Sequence, residues 1–335
     1  MRVLMTRIGL LGDVMLGREV AKELASGRAG ELWAAEVREV LLSCDAVVCN
    51  LECCVSERGE RTRRVPGKRF FFRSPPAGVS ALQSIGVAAA GLANNHALDF
   101  EQQALADTLA SLERAAIPTA GAGRGPDAAR RGAEIEAGGL RIGLVAASDH
   151  PAEYAASEDS WGIAYADLEQ GAPHYLLVEL ARLRDRCDLV IAFLHWGPNM
   201  VTRPAPWQRR LAAELSRAGT DLVAGHSAHV FHGVGWSPRG PLLYDLGDVI
   251  NDYAVDAALR NDLGVVAIWS PGGDPELELV GLRLEFCLTR LAQGEDAEWI
   301  AQRLERACDE LGTRVHRLAE QRFSVCPPEI PVQPA

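Results

Sequence analysis

No stretch of the 335-residue chain offers the ~20 uninterrupted apolar residues that a membrane-crossing helix needs. The apolar run near the N-terminus is cut by Asp13, and no small-residue cleavage site follows, so no signal peptide is expected. Cysteine is sparse: eight residues, with no Cys-x-x-Cys pair. That excludes a disulfide scaffold, argues against a structural zinc ribbon, and leads to the expectation of reduced, buried thiols in a cytoplasmic protein. Positive charge is also short, with 34 Lys+Arg against 45 Asp+Glu and a formal net charge of −11. Unselective binding to nucleic acid or to an anionic membrane is therefore not expected, because that affinity comes from cations neutralising phosphates. Lys68 follows Gly67 but lacks the upstream glycine of a P-loop, and Gly121-Ala122-Gly123 opens no clear helix, so nucleotide-driven ligation is disfavoured. There is no internal repeat, no low-complexity tract and no strong linker, and no motif speaks to oligomeric state.

What the chain does have is an ordinary globular composition, 48% hydrophobic and 24% charged, with enough apolar material for a sizeable core. Short β-branched apolar runs at 7–11, 46–49, 87–92, 141–146, 189–194, 221–224, 241–244 and 263–269 read as strands, and 276–286 alternates as an antiparallel strand should. Helical patterns lie between them at 19–26, 30–43, 77–85, 100–115, 169–186 and 206–218. Strands alternating with helices predict an α/β fold, with a mixed or second sheet where the last strands follow without helices. Residues 57–68 read as an Arg-rich loop. The expected division is a catalytic domain over 1–290 and an appendage over 291–335, a charged helix or helix pair ending in a Pro-rich tail.

The polar residues collect at the ends of the strands. The apolar runs end in Gly12-Asp13, Asn50-Leu51-Glu52, Asn94-Asn95-His96, His195-Trp196-Gly197, Gly225-His226-Ser227-Ala228-His229 and Gly247-Asp248. Parallel strands bring their carboxyl ends to one edge, where ligands bind. Any one of these residues alone reads more simply as a turn or a satisfied histidine. Six such strand ends in one chain read as a shared metal site, and their mixture of carboxylate, imidazole and amide suits Mn, Fe or Zn better than Mg or Ca. His150, His174 and His316 lie in polar text and are expected to be solvated, while His232 is ambiguous. Trp161, Trp196, Trp207 and Tyr253 are candidate crevice walls, with core packing the simpler reading for each.

These motifs, with Asp13-Val14-Met15-Leu16-Gly17-Arg18, Phe71-Phe72-Arg73-Ser74-Pro75-Pro76 and Tyr244-Asp245-Leu246-Gly247-Asp248 in order over residues 7–270, resemble the bacterial capsule-synthesis (poly-γ-glutamate) family of the calcineurin-like metallophosphoesterases. The resemblance implies a four-layer α/β/β/α sandwich with mixed sheets and a one- or two-metal centre. It implies that Asp13 binds a first metal with His229, that Glu52 bridges, and that Asn95, His195 and His226 bind a second. His96 would be the acid that protonates a leaving group, oriented by Asp99. The broader superfamily has a histidine where Met15 stands, which leaves the first metal short of a ligand unless water or a carboxylate such as Asp248 supplies it. Its closing Gly-His-x-His is stretched here to Gly225-His226-Ser227-Ala228-His229, and a mononuclear site stays open.

The expected function is that of a metal-dependent hydrolase of phosphoesterase type acting on a small anionic phosphoester through water activated by one or two divalent ions. Arg18, Arg73 and Arg260 are the candidate contacts for substrate anions. The alternatives are a role in making or processing poly-γ-glutamate or another γ-linked peptide with the same centre, and a metal-binding scaffold without catalysis. No nucleic-acid or membrane partner is expected.

Overall fold

The protein is described by a computed structural model covering residues 5–274 and 276–328. Two mixed sheets carry the fold. In the larger, Ile8–Val14 lies between Ala46–Leu51, parallel to it, and Leu263–Trp269, antiparallel to it. The parallel side continues through Val87–Gly91, and the antiparallel side through Leu277–Glu285 to a C-terminal hairpin. In the smaller sheet Leu140–Ser148, Leu189–His195, Leu222–His226 and Gly240–Leu243 run parallel, with antiparallel strands at both margins.

The strand period of two sorts side chains into layers. In Leu189–His195, Ile191 and Phe193 face a core shared with Ile8, Leu10, Val48 and Ala89 of the other sheet. Val190, Ala192 and Leu194 face outward onto Leu176, Leu180, Leu211 and Leu215 of the helices His174–Arg184 and Pro206–Ala218. On the larger sheet Val47 and Cys49 face outward onto helices that include Arg18–Ala25, Ala35–Leu42, Ala77–Gln83 and Glu101–Arg114. Helix, sheet, sheet, helix is the expected four-layer sandwich.

Two expected helices are interrupted. The stretch 30–43 becomes a 3₁₀ turn, Ala29–Glu31, and the helix Ala35–Leu42, because Trp33 is drawn into the core and bridges to Thr289. The stretch 169–186 breaks at Gly171 (φ 108°) and Pro173 before its helix begins.

The larger correction is at the C-terminus. Gly294–Asp309 is one helix, but Arg314–Ala319 and Arg322–Cys326 form a hairpin whose second strand pairs with Leu277–Glu285. Ile300 and Leu304 of that helix enter the core between the sheets. The segment after residue 290 is therefore sheet edge and core cover, not an appendage, because alternating Phe323 and Val325 bury on the sheet face. Most of the expected Pro-rich tail lies outside the described residues. No helix among the described residues is long and apolar enough to cross a membrane.

Candidate metal centre

Strand register assembles the site. Asp13 sits opposite Asn50 on one side and Asp248 on the other, and His195 sits opposite His226 in the second sheet. The glycines before two of these residues are required by close backbone approach. A Cβ on Gly12 would lie 1.9 Å from the Gly247 carbonyl oxygen, and one on Gly225 would lie 2.1 Å from that of Tyr244. The turn that follows Gly225 is strained, with Ser227 at φ 113° and His229 at φ 59°. Such conformations cost on the order of 1–3 kcal/mol and persist where the surroundings hold them. Here the Ser227 amide donates to Asp13 (3.2 Å), the Ala228 amide to buried Asp245 (2.8 Å), and the Ser227 hydroxyl to the Gly197 carbonyl (3.1 Å). From the C-terminal helix, the Arg303 guanidinium donates to the Phe231 carbonyl (2.9 Å).

Ligand atoms gather in two groups, each within 4.8 Å: Asp13 with His195 and His226, and Asp13 with Glu52, His229 and Asp248. All six residues are buried. Asp13 belongs to both groups and Glu52 to the second. Asp248 joins the second group, and Met15 is in neither. Met15 itself is packed in the outer core, its sulfur accepting the Gly17 amide.

Several buried polar atoms here have no hydrogen-bond partner: both carboxylate oxygens of Glu52, the Asn95 side-chain oxygen, and Nε2 of His195 and of His226. Leaving such atoms unpaired costs roughly 1–3 kcal/mol each, so their convergence calls for a ligand. An acceptor-only set of carboxylate, amide oxygen and imidazole fits a cation. Asn94, by contrast, is structural: its amide donates to Asn50 (3.0 Å) and to the Leu51 carbonyl (2.9 Å). Burial pushes the Asp13 carboxyl up to about 7 against the pull of His229, and holds Glu52 well above the usual range. Burial also opposes a charge on His229, yet Asp248, Glu52 and Asp13 carry its pKa well above the ordinary value. His226 is pushed down to about 3 by burial.

His96 flanks the carboxylate-rich group, its Nε2 3.8 Å from Glu52. Its Nδ1 meets Asp99 at 2.5 Å, and Phe72 stacks on its ring at 3.8 Å. Asp99 is held in turn by the Phe72 amide (2.6 Å), the Tyr154 hydroxyl (3.2 Å) and Lys68 (3.0 Å). Burial lowers the His96 pKa to about 4, against the pull of Asp99.

Of the three candidate arginines, Arg18 is at the rim, 3.3 Å from Asp252 and with its guanidinium 6.0 Å from the Tyr253 ring. Arg73 lies over the Phe100 ring and donates to the Gly59 carbonyl. Arg260 is taken up by Asp262 and Asp296. The structure brings neither of these two to the centre: the Arg73 guanidinium is taken by Gly59 and the Phe100 ring, that of Arg260 by Asp262 and Asp296. Among the aromatic candidates Tyr253 belongs to the centre, its ring 5.4 Å from that of His229 and its hydroxyl buried and unpartnered. Trp196 is core, its indole N–H donating to the Tyr244 carbonyl, and Trp207 packs edge-on against it. Trp161 packs against the outer core.

Two groups were not expected. His150, read as solvated, is half-buried with its ring 5.1 Å from that of His195, and its Nδ1 pairs with Asp149. The strand before it runs to Ser148, past the β-branched text that ends at Ala146, so Asp149-His150 is one more polar pair at a strand end. Lys68 comes from a loop whose spacing carries no such signal. His232 is buried and donates from Nε2 to the Val201 carbonyl.

The family model "Bacterial capsule synthesis protein PGA_cap" matches residues 7–253. The chain belongs to this family. It is 32% identical over 301 residues to a Mycobacterium tuberculosis protein named "Probable polyglutamine synthesis accessory protein", covering 84% of this chain and 77% of the relative. It is 26% identical to the "Capsule biosynthesis protein CapA" of Bacillus anthracis and to the "PGA biosynthesis protein CapA" of Bacillus subtilis, covering 72% of this chain in each case. Those matches span 59% and 62% of the Bacillus proteins. The family is the one that the strand-end motifs resemble. The names of these three relatives speak of polyglutamine, capsule and PGA synthesis.

Proposed function

We propose that this PGA_cap protein works in making or processing a γ-linked glutamate polymer, with the strand-end centre as its reactive part. The observation that carries this reading is the convergence of unpartnered, buried acceptor atoms on Asp13, beside the fixed His96–Asp99 pair. Asp13, His195 and His226, with Asn95, would hold one divalent ion, and Asp13, Glu52, His229 and Asp248 a second. Such an ion supplies Lewis acidity, polarising a carbonyl or phosphoryl oxygen and making water acidic near neutral pH.

The chain's own residues do the rest. Asp99 fixes the imidazole through Nδ1, leaving His96 Nε2 turned toward the centre. There Nε2 would take a proton from the attacking water and hand it to the departing group: the amine when water cleaves a γ-amide, or the oxygen when water cleaves an ester bond. General acids of this kind contribute about 10²–10⁴-fold. Because the side chain of Asp99 has four partners, the ring is held and no reorganisation is needed. The eight unpaired cysteines support a reducing compartment, and we place the chain in the cytoplasm.

A phosphoesterase reading uses the same centre, and it is favoured by the second group's carboxylates beside an imidazole acid. The test pairs elemental mass spectrometry of protein purified without chelator with two assays, shortening of poly-γ-glutamate and turnover of a phosphoester panel. Bound Mn, Fe or Zn with polymer shortening supports the proposal. Metal with phosphoester turnover alone moves the function to the second reading. Metal with neither activity leaves the scaffold reading, and no metal taken up under any condition removes all three.

A further inference from the structure

Residues 57–70 carry six basic and two acidic side chains in a chain whose net charge is −11. Three of the six are used within the fold: Arg58 on Asp107, Arg64 on Glu101 (2.8 Å), and Lys68 on Asp99. The other three, Arg61, Arg63 and Arg69, are exposed and form no ion pair among the described residues. The loop is fastened against the centre. Lys68 also donates to the Asn95 carbonyl (2.8 Å), and Phe72, just past the loop, stacks on His96. The Phe70 ring lies 5.8 Å from the Arg18 guanidinium, which in turn neighbours Tyr253. None of this basic charge enters the chemistry described above except through Lys68.

We propose that Arg61, Arg63 and Arg69 form a strip that binds the free carboxylates of an extended γ-linked glutamate chain and leads it to the centre. This rests on the polymer reading above. A protein of net negative charge repels a polyanion, so capture requires a local excess of positive charge close to where the polymer must go. At physiological salt, charges act over a Debye length of ~8 Å, so capture depends on the local charge of the loop that Lys68 fastens to the centre and not on the net charge. Guanidinium forks match carboxylates in geometry. A single-stranded nucleic acid would need free aromatic faces for its bases. Of the three nearby rings Phe71 meets Arg61 and Phe72 stacks on His96, which leaves Phe70, exposed beside Arg18, as a single ring and not a run of stacking faces. A polycarboxylate is the polyanion that fits.

The test measures binding of a fluorescent γ-linked glutamate oligomer to the metal-loaded full chain by anisotropy. Its controls are the neutral α-amide oligomer of equal length and a single-stranded nucleic acid of equal charge. We expect the carboxylate oligomer to bind, its affinity to fall steeply with ionic strength, and the neutral one to bind far less. Arg61→Gln/Arg63→Gln/Arg69→Gln should weaken binding about tenfold, as three exposed ion pairs allow, while metal content stays unchanged. Removing Arg38, Arg114 and Arg217, on helices that lead into the far ends of strands, changes net charge equally and should leave affinity nearly intact. Equal binding of the neutral oligomer, salt-insensitive binding, tighter binding of the nucleic acid, or wild-type affinity in the loop variant would each overturn the strip. Polymer shortening by a loop variant of unchanged affinity would overturn the strip while leaving the functional reading standing. Loss of binding in that variant, with no shortening by any form, would support the strip and remove the reading.

Discussion

The side of the centre reached by His195 and His226 and the side reached by Glu52, His229 and Asp248 share Asp13 and little else. On the first, two imidazoles face each other with their Nδ1 atoms 3.0 Å apart, and burial disfavours charge on both. On the second, three carboxylates crowd one imidazole, with His229 Nδ1 2.8 Å from Asp248 and 3.6 Å from Asp13. The first side offers nitrogen and little charge, the second oxygen and an excess of negative charge. Neutral nitrogen donors suit Zn or Fe, and oxygen-rich donors suit Mn or Mg, so under the proposed function the two groups would differ in the ion each prefers.

The largest effect should come from the residue the sides share. Asp13→Ala is expected to abolish stoichiometric metal binding at both positions. Elemental analysis that still found the wild-type content would remove Asp13 from the centre. Next, His96→Ala should keep the metal and cost about 10²–10⁴-fold in turnover; normal turnover would take the acid role from His96. A smaller and more discriminating effect is expected from His226→Ala against Asp248→Ala. The first should selectively weaken Zn, the second Mn, as competition titrations with the two ions would reveal. Equal losses of both ions in both variants would mean that the sides act as one site. The smallest effect is expected at Met15. The resemblance alone suggests that Met15→His tightens the metal, but this side chain is core and stands in neither ligand group, whereas Asp248 belongs to the second. Metal affinity should be unchanged, with stability lower by roughly 1–3 kcal/mol for burying an imidazole, readable in a urea titration. A gain in affinity would show that the core turns over to admit a new ligand.

Most of the centre was legible because it follows from strand ends, and strand ends follow from apolar runs giving way to polar residues. Asp13, Glu52, His195, His226 and His229 all obey that rule. Asp99 and Asn95 became legible only through the family resemblance, since nothing in spacing separates Asn95 from Asn94. The orphaned oxygen of one and the paired amide of the other make the distinction. Asp149-His150 obeys the strand-end rule too, but the last strand residues, Ala147 and Ser148, have no β-branched signature, so the strand reads as ending too early. Lys68 and Arg260, in loops, and Arg73, in the short strand Arg73–Ser74, have partners that lie far along the chain or depend on backbone course, which composition does not encode. The C-terminal hairpin was obscured for a related reason: Arg314–Ala319 is an exposed edge strand with a charged face, and such text reads like a solvated helix.

The grip of Arg303 on Phe231 changes what counts as the smallest working unit. Every candidate ligand lies before residue 253, inside the stretch that the family shares, so a fragment ending there would seem complete. Yet the turn that presents His226 and His229 is pinned from the helix Gly294–Asp309, whose Ile300 and Leu304 also close the seam between the sheets. Cut at the family boundary, the piece would retain the full set of donors but not the fixture that sets their aim. Here the inventory of reactive residues and the machinery that makes them a site have different lengths.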